Sequence, residues 1–519
     1  MEKKKEIAII GAGISGLLAC KYTLAKGFNP IVFESTNNVG GVWNKTCETT
    51  RLQGPKLGFM FSDFPWPESV TDEFPRHDQV LNYLEAYADH FDLLKHIKFD
   101  NKVVGIEYQG PSDGEIQSWS QWSGNGEPFN SKGKWRVEVA DTKNNSTQVY
   151  QVDFVILCVG RFSELPNIPQ FPPGEGPEAF DGKVIHSMDY SAMDDASAAE
   201  LVKDKRVAVV GFQKSATDIA LECSAANGVK HPCTVLYKTE HWNLPDLYPW
   251  GVPLFLLYFN RFAELMVHKP GEGFLLSLLA TFLAPLRWAL SKFVESHIKR
   301  KFRLAKFGMV PKHSFLQDIN SCLIATLPTN FYDRVEEGSI VLKKSPGFSF
   351  CREGIMVDND NTPLRTDLVI LATGYRGEEK LRNIFVNQAF KDSILGSPKE
   401  AVPLYRQCIH PRIPQLAVIG FSEAGSNLFT SELRSRWVAE LLDGKIKLPR
   451  IIEMEKEVSQ WTGYWKQYSG PYYRRSCLTA LHIWYSDQLC KDMGWNHKRK
   501  KGFLANLLIP YGPTDYASP

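Results

Sequence analysis

The sequence predicts an α/β fold built from two nested dinucleotide-binding (Rossmann-like) domains, the second inserted into the first. Three observations support this prediction. A glycine-rich turn ends an apolar run at the start of the chain, and a second such turn begins at Gly211. Two nearly identical segments, each an acid, an apolar run, a small residue and a glycine, end at Gly160 and Gly374. We therefore expect the chain to leave the first domain after Gly160 and to return to it through Gly374.

The expected domain boundaries follow from these segments and from a proline-rich linker near residue 170. A chain of 519 residues has room for two or three domains with buried cores. The first domain takes residues 1–172 and 365–519, the latter with a C-terminal extension. The second domain takes residues 173–364 and carries an apolar helical insertion at about residues 245–325.

The first glycine-rich turn has every part of a dinucleotide fingerprint: strand, turn, helix, second strand and acid. Gly11 allows the tight turn, Gly13 lets backbone N–H groups approach a pyrophosphate, and Gly16 lets the helix pack on the sheet. Glu34 ends the second strand, where it can accept hydrogen bonds from ribose hydroxyls, as the AMP half of FAD requires. The residues expected to bind this cofactor are Gly11, Ala12, Gly13, Ile14, Ser15, Gly16, Glu34, Gly41, Val42 and Trp43.

The second turn departs from the fingerprint in a way that favours a different nucleotide. Gln213 stands where the middle glycine is expected, and Ala216 is an accepted third residue. The next strand ends in Lys238 rather than an acid, and a cation suits the 2′-phosphate of NADPH. The alternative is that Lys238 is a solvent-facing lysine. The residues expected to bind this cofactor are Gly211, Phe212, Gln213, Lys214, Ser215, Ala216 and Lys238, together with Thr373 and Gly374.

Composition excludes several other classes of protein. The net charge of +2 gives no reason to expect a nucleic-acid partner. The ten cysteines are scattered singly, without a CxxC pair or metal-ligand spacing, so neither a redox dithiol nor a metal site is expected. We expect reduced thiols in a cytoplasmic protein.

The most apolar window, residues 274–284, is too short and too interrupted to span a bilayer. We expect a core helix pair within the insertion. The alternative is a monotopic membrane contact through residues 274–301, because the basic run 297–301 could meet anionic lipid. That alternative would place the protein on the cytosolic face of the endoplasmic reticulum.

A motif just before the second turn carries a family resemblance. Residues 180–190 fit the pattern FxGxxxHxxxY through Phe180, Gly182, His186 and Tyr190. Through this motif the chain resembles the flavin-containing monooxygenases. Nearly the whole chain takes part in the resemblance, through residues 40–43, 61–67, 371–375, 403–406 and 431–437. The chain is most similar to the plant enzymes of the group that includes the pipecolate N-hydroxylase, which implies a role in plant secondary metabolism and defense.

The resemblance implies a monooxygenase that uses FAD, NADPH and molecular oxygen through a flavin C4a-hydroperoxide. The implied substrate is a small-molecule amine or thioether, with an amino-acid-derived or alkaloid-like amine nitrogen favoured. Alternatives are an S-oxygenase, a ketoacid-decarboxylating monooxygenase, and a non-catalytic flavoprotein that senses NADP(H). A flavoprotein that retained the bound nucleotide would shield the peroxide from water, as this chemistry requires.

Two residues are candidates for a catalytic role. The resemblance aligns Gln53 with an asparagine beside the flavin in animal members, and the alternative is a surface-loop glutamine. For His186 we favour a histidine that braces the domain junction by hydrogen bonding over one that acts directly in catalysis.

Overall fold

The protein is described by a computed structural model of residues 5–129, 132–328, 330–358 and 360–518. Its strands are β1 (Glu6–Ile10), β2 (Asn29–Phe33), β3 (Ile97–Lys98), β4 (Asn101–Gln109), β5 (Lys134–Asp141), β6 (Thr147–Val152), β7 (Phe154–Leu157), β8 (Lys183–His186), β9 (Val207–Val210), β10 (Cys233–Tyr237), β11 (Ile340–Lys344), β12 (Phe348–Cys351), β13 (Gly354–Val357), β14 (Leu364–Arg365), β15 (Leu368–Leu371) and β16 (Leu416–Val418).

The helices are α1 (Ile14–Ala25), α2 (His77–His90), α3 (Asp113–Ser118), α4 (Ser187–Tyr190), α5 (Asp195–Val202), α6 (Lys214–Asn227), α7 (Leu254–Tyr258), α8 (Arg261–Leu265), α9 (Phe274–Phe282), α10 (Ala284–Lys301), α11 (Phe315–Asn320), α12 (Phe331–Glu337), α13 (Gly377–Asn383), α14 (Gln388–Ser393), α15 (Asn427–Leu442), α16 (Ile451–Ser469), α17 (His482–Asp492) and α18 (Phe503–Leu508).

A parallel sheet in the order β16-β7-β1-β2-β3 forms the centre of the first domain. Its inner strands are continuous apolar runs because helices or other strands cover both faces of a parallel sheet. The crossover helix α1 packs against α15, which follows the last strand of the sheet. The carboxyl ends of β1, β7 and β16 therefore meet at one edge, although β16 lies more than 250 residues after β7.

A second parallel sheet, in the order β11-β10-β9-β15-β8, lies between β7 and β16 in the chain. This arrangement confirms the predicted nested α/β fold. The predicted boundary at residue 364 needs correction, because β15 pairs with both β8 and β9 and so belongs to the second sheet. The chain returns to the first domain after Leu371. Residues 1–4 and 519 of the predicted ranges lie outside the described residues.

The segment between β10 and β11 forms helices α7 to α12, of which α7 to α11 make up the insertion. We expected the apolar window to form a core helix pair, and this expectation is wrong for α9. Ala280 is the one buried residue of that helix. The Phe274 and Phe282 side chains are 79% and 80% exposed. Among the described residues no single helix has the length and apolarity to cross a bilayer. Helices α9 and α10 meet those criteria as a pair, with a bend of 47° between them.

The cysteines correct a second expectation. Eight are free, but Cys322 and Cys477 form a disulfide, with their Cα atoms 5.5 Å apart. The two residues are separated by 155 positions, and the fold brings the end of α11 against the segment that precedes α17. Sequence spacing gave no sign of this pairing, since it depends on tertiary contact alone.

Candidate cofactor and active site

The first glycine-rich turn has backbone geometry that a side chain would disrupt. Gly11 has a φ of +101°, and a Cβ atom there would lie 2.6 Å from the carbonyl oxygen of Cys158, the residue that follows β7. A Cβ atom on Gly16 would lie 1.8 Å from the Gly11 carbonyl oxygen. Glycine is therefore required at both positions, which brings the start of α1 directly over the end of β1.

The acid predicted to bind ribose lies against this turn. One carboxylate oxygen of Glu34 accepts the Ala12 N–H at 2.7 Å, and the other accepts the Thr36 N–H at 2.9 Å. A Cβ atom on Gly13 would lie 3.4 Å from the Gly41 Cα atom, so two glycine backbones face each other here. The structure thus brings together Gly13, Glu34 and Gly41. This cradle of two glycines fits the pyrophosphate of FAD, at the N-terminus of α1.

The second turn also fits a phosphate-bearing ligand. Gly211 has a φ of +134°, and its N–H donates to the Leu236 carbonyl oxygen at 2.8 Å. Gln213 is the N-terminal capping residue of α6, and its buried Nε2 atom has no hydrogen-bond partner in the described residues. Burial of an unpaired amide is unfavourable, so a ligand that accepts its hydrogen bond would be stabilised. Gln213 therefore replaces the middle glycine with a side-chain donor at the helix N-terminus, where NADPH phosphate is expected.

Two lysines lie at the carboxyl edge of the second sheet. Lys238 follows β10 directly and is exposed, and within the described residues it makes no ion pair. Lys344 ends β11, opposite Tyr237, but its ammonium group pairs with Glu240 at 2.5 Å. Lys214, on α6, pairs with Asp218 at 2.6 Å. Lys238 thus has an uncommitted charge available for a 2′-phosphate.

Thr373 and Gly374 lie where the chain crosses between the domains. The Asn167 N–H donates to the Gly374 carbonyl oxygen at 2.9 Å, and the Asn167 side-chain amide donates to the Thr373 carbonyl oxygen at 3.1 Å. Pro166 also forms an isolated antiparallel bridge with Tyr375. The outgoing and returning chains are therefore hydrogen-bonded to each other between the two sheets.

His186 ends β8 beside this double crossing. Its Nδ1 atom accepts the Met188 N–H at 3.0 Å, which places the ring proton on Nε2. The Nε2 atom is buried near the Gly374 backbone without a hydrogen bond of normal geometry, and the ring packs on Tyr375 at 5.5 Å. Burial lowers the pKa of His186, so the ring is neutral at pH 7. These contacts place His186 at the domain junction.

Polar residues that the sequence analysis did not single out join the two domains. Glu222 on α6 accepts hydrogen bonds from the Thr49 N–H at 3.1 Å and from the Tyr190 hydroxyl at 2.9 Å. Thr50 donates to Asp218 at 2.9 Å. Burial raises the pKa of both carboxyl groups. Tyr190 was found through the motif, but its partner could be identified only from the fold.

Gln53 lies in an exposed loop of the first domain. Its side chain is exposed, and its carbonyl oxygen accepts a hydrogen bond from Thr326 at 2.9 Å. Thr326 belongs to the end of the insertion, so this loop joins the first domain to the second. Gln53 and His186 share no hydrogen bond in the part of the chain that the structure describes.

A buried ion pair, missed from the sequence, lies at the carboxyl edge of the first sheet. Glu423 follows β16 by five residues and pairs with Arg475 at 2.5 Å. Its second carboxylate oxygen, Oε1, and the Arg475 Nε atom are buried without a hydrogen-bond partner in the described residues. The same loop touches the FAD turn, because a Cβ atom on Gly420 would lie 2.2 Å from the Ser15 hydroxyl. This edge therefore places a buried polar pair in the same region as the start of α1, where the flavin is expected.

The fold and the two turns define a flavoprotein oxidoreductase with one nucleotide site in each domain. The family described as FMO-like, flavin-binding monooxygenase-like, matches residues 4–498. The chain is 42% identical over 517 residues to the probable flavin-containing monooxygenase 1 of Arabidopsis thaliana, covering 98% of this chain and 96% of that protein.

Two solved structures share the fold. OTEMO in complex with FAD and NADP has a TM-score of 0.59 and 18% identity, covering 86% of each chain. The S-allyl-L-cysteine S-oxygenase of Allium sativum has a TM-score of 0.58 and 17% identity, covering 95% of this chain and 89% of that one. The chain belongs to the flavin-containing monooxygenase family. It is a plant-type monooxygenase that binds FAD and NADPH.

Gly13→Ala tests the FAD cradle. The new methyl group would make an ordinary contact of 3.4 Å with Gly41, so the protein should fold, but it would occupy the space that the pyrophosphate needs. We expect the purified variant to lack flavin absorption and to keep a cooperative thermal transition. Gly54→Ala, whose Cβ would meet no atom within 4 Å, is the control. A variant with full flavin content would show that the cradle is placed wrongly.

Lys238→Ala tests recognition of the 2′-phosphate. Loss of a charge-assisted contact of about 1.5–3 kcal/mol should raise the KM for NADPH roughly ten- to hundredfold and leave that for NADH unchanged. Lys344→Ala is the matched control, because Glu240 already pairs with that lysine. Steady-state oxidation of both nucleotides measures the effect. Equal changes in the KM values for NADPH and NADH in Lys238→Ala would show that Lys238 faces solvent and does not bind the 2′-phosphate.

Proposed function

We propose that this monooxygenase inserts one oxygen atom from O2 into the nitrogen of an amino-acid-derived or alkaloid-like amine. The Glu423–Arg475 pair is the observation that carries the proposal. A carboxylate oxygen and a guanidinium N–H, both buried and unpaired, match the ammonium and carboxylate groups of an amino acid. Each unpaired buried atom costs about 1–3 kcal/mol, a penalty that a substrate with both groups would remove.

The surrounding residues fix the pair in position. The paired carboxylate oxygen of Glu423, Oε2, accepts a hydrogen bond from Arg475 Nη2, which also donates to the Cys322 carbonyl oxygen at 3.1 Å. The Glu423 carbonyl oxygen accepts the Leu478 N–H at 2.8 Å. The Glu423 side chain is 8% exposed, so its charge interacts in a medium of lower dielectric than water. A substrate amine held there would be oriented before oxygen transfer.

Arg161 covers this region from the first domain. It follows β7, and its guanidinium group donates to the Arg474 and Arg475 carbonyl oxygens at 3.0 and 3.1 Å. It also pairs with Glu378 at 3.1 Å. These bonds hold the 3-10 segment Gly470–Arg475 against the sheet edge, where exclusion of water favours oxygen transfer over peroxide release. Bound FAD supplies the oxygen chemistry, with NADPH as electron donor.

The amine nitrogen must lose a proton to become a nucleophile. The unpaired Glu423 oxygen can accept a hydrogen bond from the amine and so leave its lone pair directed away from the carboxylate. The overall reaction consumes O2, NADPH and one proton and yields the hydroxylated amine, NADP⁺ and water. A ketoacid, or a thioether without an amino group, lacks a group that would pair with Glu423, which is why we favour nitrogen.

A panel of substrates tests the proposal. We expect an amino-acid-derived amine to give a product one oxygen atom heavier by mass spectrometry, with NADPH and O2 consumed in equal amounts. Glu423→Gln should raise its KM roughly ten- to hundredfold through loss of a charged contact. Glu457→Gln is the matched control, because Glu457 is also paired with an arginine and left with one buried unpaired oxygen, but it is half-buried and lies within the C-terminal helices.

Three outcomes would contradict nitrogen oxygenation. Oxygenation of thioethers alone, with no effect of Glu423→Gln, would favour the S-oxygenase alternative. Decarboxylation and oxygenation of a 2-ketoacid would favour the ketoacid alternative. If NADPH oxidation yielded hydrogen peroxide alone with amines, thioethers and ketoacids, none of these three functions would stand.

We also propose a monotopic contact with an anionic membrane. The helices α9, α10 and α18 expose a group of large apolar side chains, termed here the apolar face: Phe274, Leu275, Leu276, Leu278, Leu279, Phe282, Leu286, Trp288, Phe503, Leu504, Leu508 and Ile509. Helix α8 contacts both α9 and α18, so one element connects the two parts of this face. Basic residues flank it at Lys301, Lys498 and Lys501. Exposed phenylalanine beside lysine is typical of interfacial membrane binding.

The membrane contact supports a cytoplasmic location on the cytosolic face of the endoplasmic reticulum. The eight free cysteines, seven of them buried, favour a reducing compartment, whereas the Cys322–Cys477 disulfide is more typical of an oxidising one. Protease treatment of intact microsomes checks this proposal, since a protein on the cytosolic face would be digested. Protection until detergent is added would place it in the lumen instead.

A variant of the apolar face tests membrane binding. The double variant Phe274→Asp/Phe282→Asp should lose at least about tenfold in affinity for vesicles containing phosphatidylserine, because each phenylalanine contributes about 1.5–3 kcal/mol on burial. Ile452→Asp, at an apolar side chain that is 65% exposed on α16, is the control. Cosedimentation measures binding. Equal vesicle binding by the double variant and the wild type would show that the apolar face does not contact the membrane.

A further inference from the structure

A cluster of two histidines and one carboxylate lies outside both nucleotide turns. His241 follows β10 by four residues, and His313 and Asp318 lie on either side of the start of α11. Asp318 is fully buried, whereas the His241 and His313 side chains are 8% and 15% exposed. The cluster is therefore largely shielded from water and reachable from the His313 side. Its three residues are spread over 78 positions, without a local motif.

The ligand atoms converge on one point. The Asp318 Oδ1 atom lies 2.8 Å from His313 Nε2 and 3.3 Å from His241 Nδ1, and the three atoms lie within 4.8 Å of one another. Tetrahedral ligands at about 2.0–2.1 Å from a metal ion are about 3.3–3.4 Å apart. The two histidine–carboxylate distances therefore lie near that spacing, and the two histidine nitrogens lie within 4.8 Å of each other.

Surrounding bonds hold these ligands in place. The Trp242 N–H donates to the other carboxylate oxygen of Asp318 at 2.7 Å, and the Trp242 indole N–H donates to the His313 carbonyl oxygen at 2.7 Å. Tyr472 packs on the His241 ring at 6.0 Å. Bonds of this kind orient metal ligands in proteins and are needed for affinity.

We propose that His241, His313 and Asp318 bind a divalent transition-metal ion of the zinc class. Two imidazoles and one carboxylate form the donor set that zinc accepts, and the fourth position is left for water. The ion would join the loop after β10, which begins at Lys238, to the start of α11. Its role is to stabilise the insertion against the second sheet, and it takes no part in oxygen transfer.

The experiment uses tag-free flavin-loaded protein, incubated with ZnCl2 and dialysed before metal analysis by mass spectrometry. We expect a stoichiometric amount of zinc in the wild type, and loss of that zinc in His313→Gln. Glutamine keeps a hydrogen-bond donor for Asp318 but is a poor zinc ligand, so this variant should fold and retain its flavin. A chelator should lower the Tm of the wild type and leave that of His313→Gln unchanged.

His268→Gln is the matched control, because His268 lies in the same insertion and contacts a single carboxylate, Glu272. It should retain zinc. Two results would overturn the proposal: a wild type that holds no zinc after dialysis, and equal zinc in the wild type and His313→Gln. Either result would leave the cluster as a hydrogen-bonded group in which both histidines donate to Asp318. His241→Gln provides a second, independent variant with the same expected loss.

Discussion

The double crossing between the domains is the constraint on which the site depends. A domain inserted through two chain segments is held more rigidly when those segments are hydrogen-bonded to each other where they leave and return. Asn167 makes that connection by donating to the carbonyl oxygens of Thr373 and Gly374. His186 packs beside the same crossing through Tyr375. Because the FAD turn precedes the first crossing and the NADPH turn lies beyond it, the separation of the two cofactors is set by this small hydrogen-bonded region.

A second contact between the domains is polar and carries buried carboxyl groups. Glu222 and Asp218, both on α6, accept hydrogen bonds from Thr49 and Thr50 of the first domain. Their raised pKa values reflect burial that hydrogen bonds only partly offset. A polar contact of this kind separates with less exposure of apolar surface than a hydrophobic interface does. The junction therefore combines a covalent double crossing with a contact that can release, which suits an enzyme that exchanges a nucleotide in every cycle.

The parts of the fold that the sequence predicted were those with local patterns. The apolar run, the glycine turn and Glu34 lie within 30 residues, so their spacing alone identifies them as parts of one motif. The nested order of the domains was predicted from this motif and its second, altered copy. Sheet membership of β15 could not be predicted, because its segment and the β7 segment are nearly the same in sequence and differ in what they pair with. The same holds for Cys322 and Cys477 and for Glu423 and Arg475, because each pair is brought together by tertiary contact without a local sequence pattern.

The insertion connects the apolar face to the proposed substrate pair. Its far end, α9, is exposed, and its near end, after α11, is joined to the C-terminal segment by the Cys322–Cys477 disulfide. The Arg475 guanidinium also donates to the Cys322 carbonyl oxygen at 3.1 Å. Arg475 is thus held from two sides, by Glu423 of the first domain and by the insertion. A membrane-bound α9 would therefore act on the same insertion that holds Arg475 of the proposed substrate pair, through the disulfide end of that insertion.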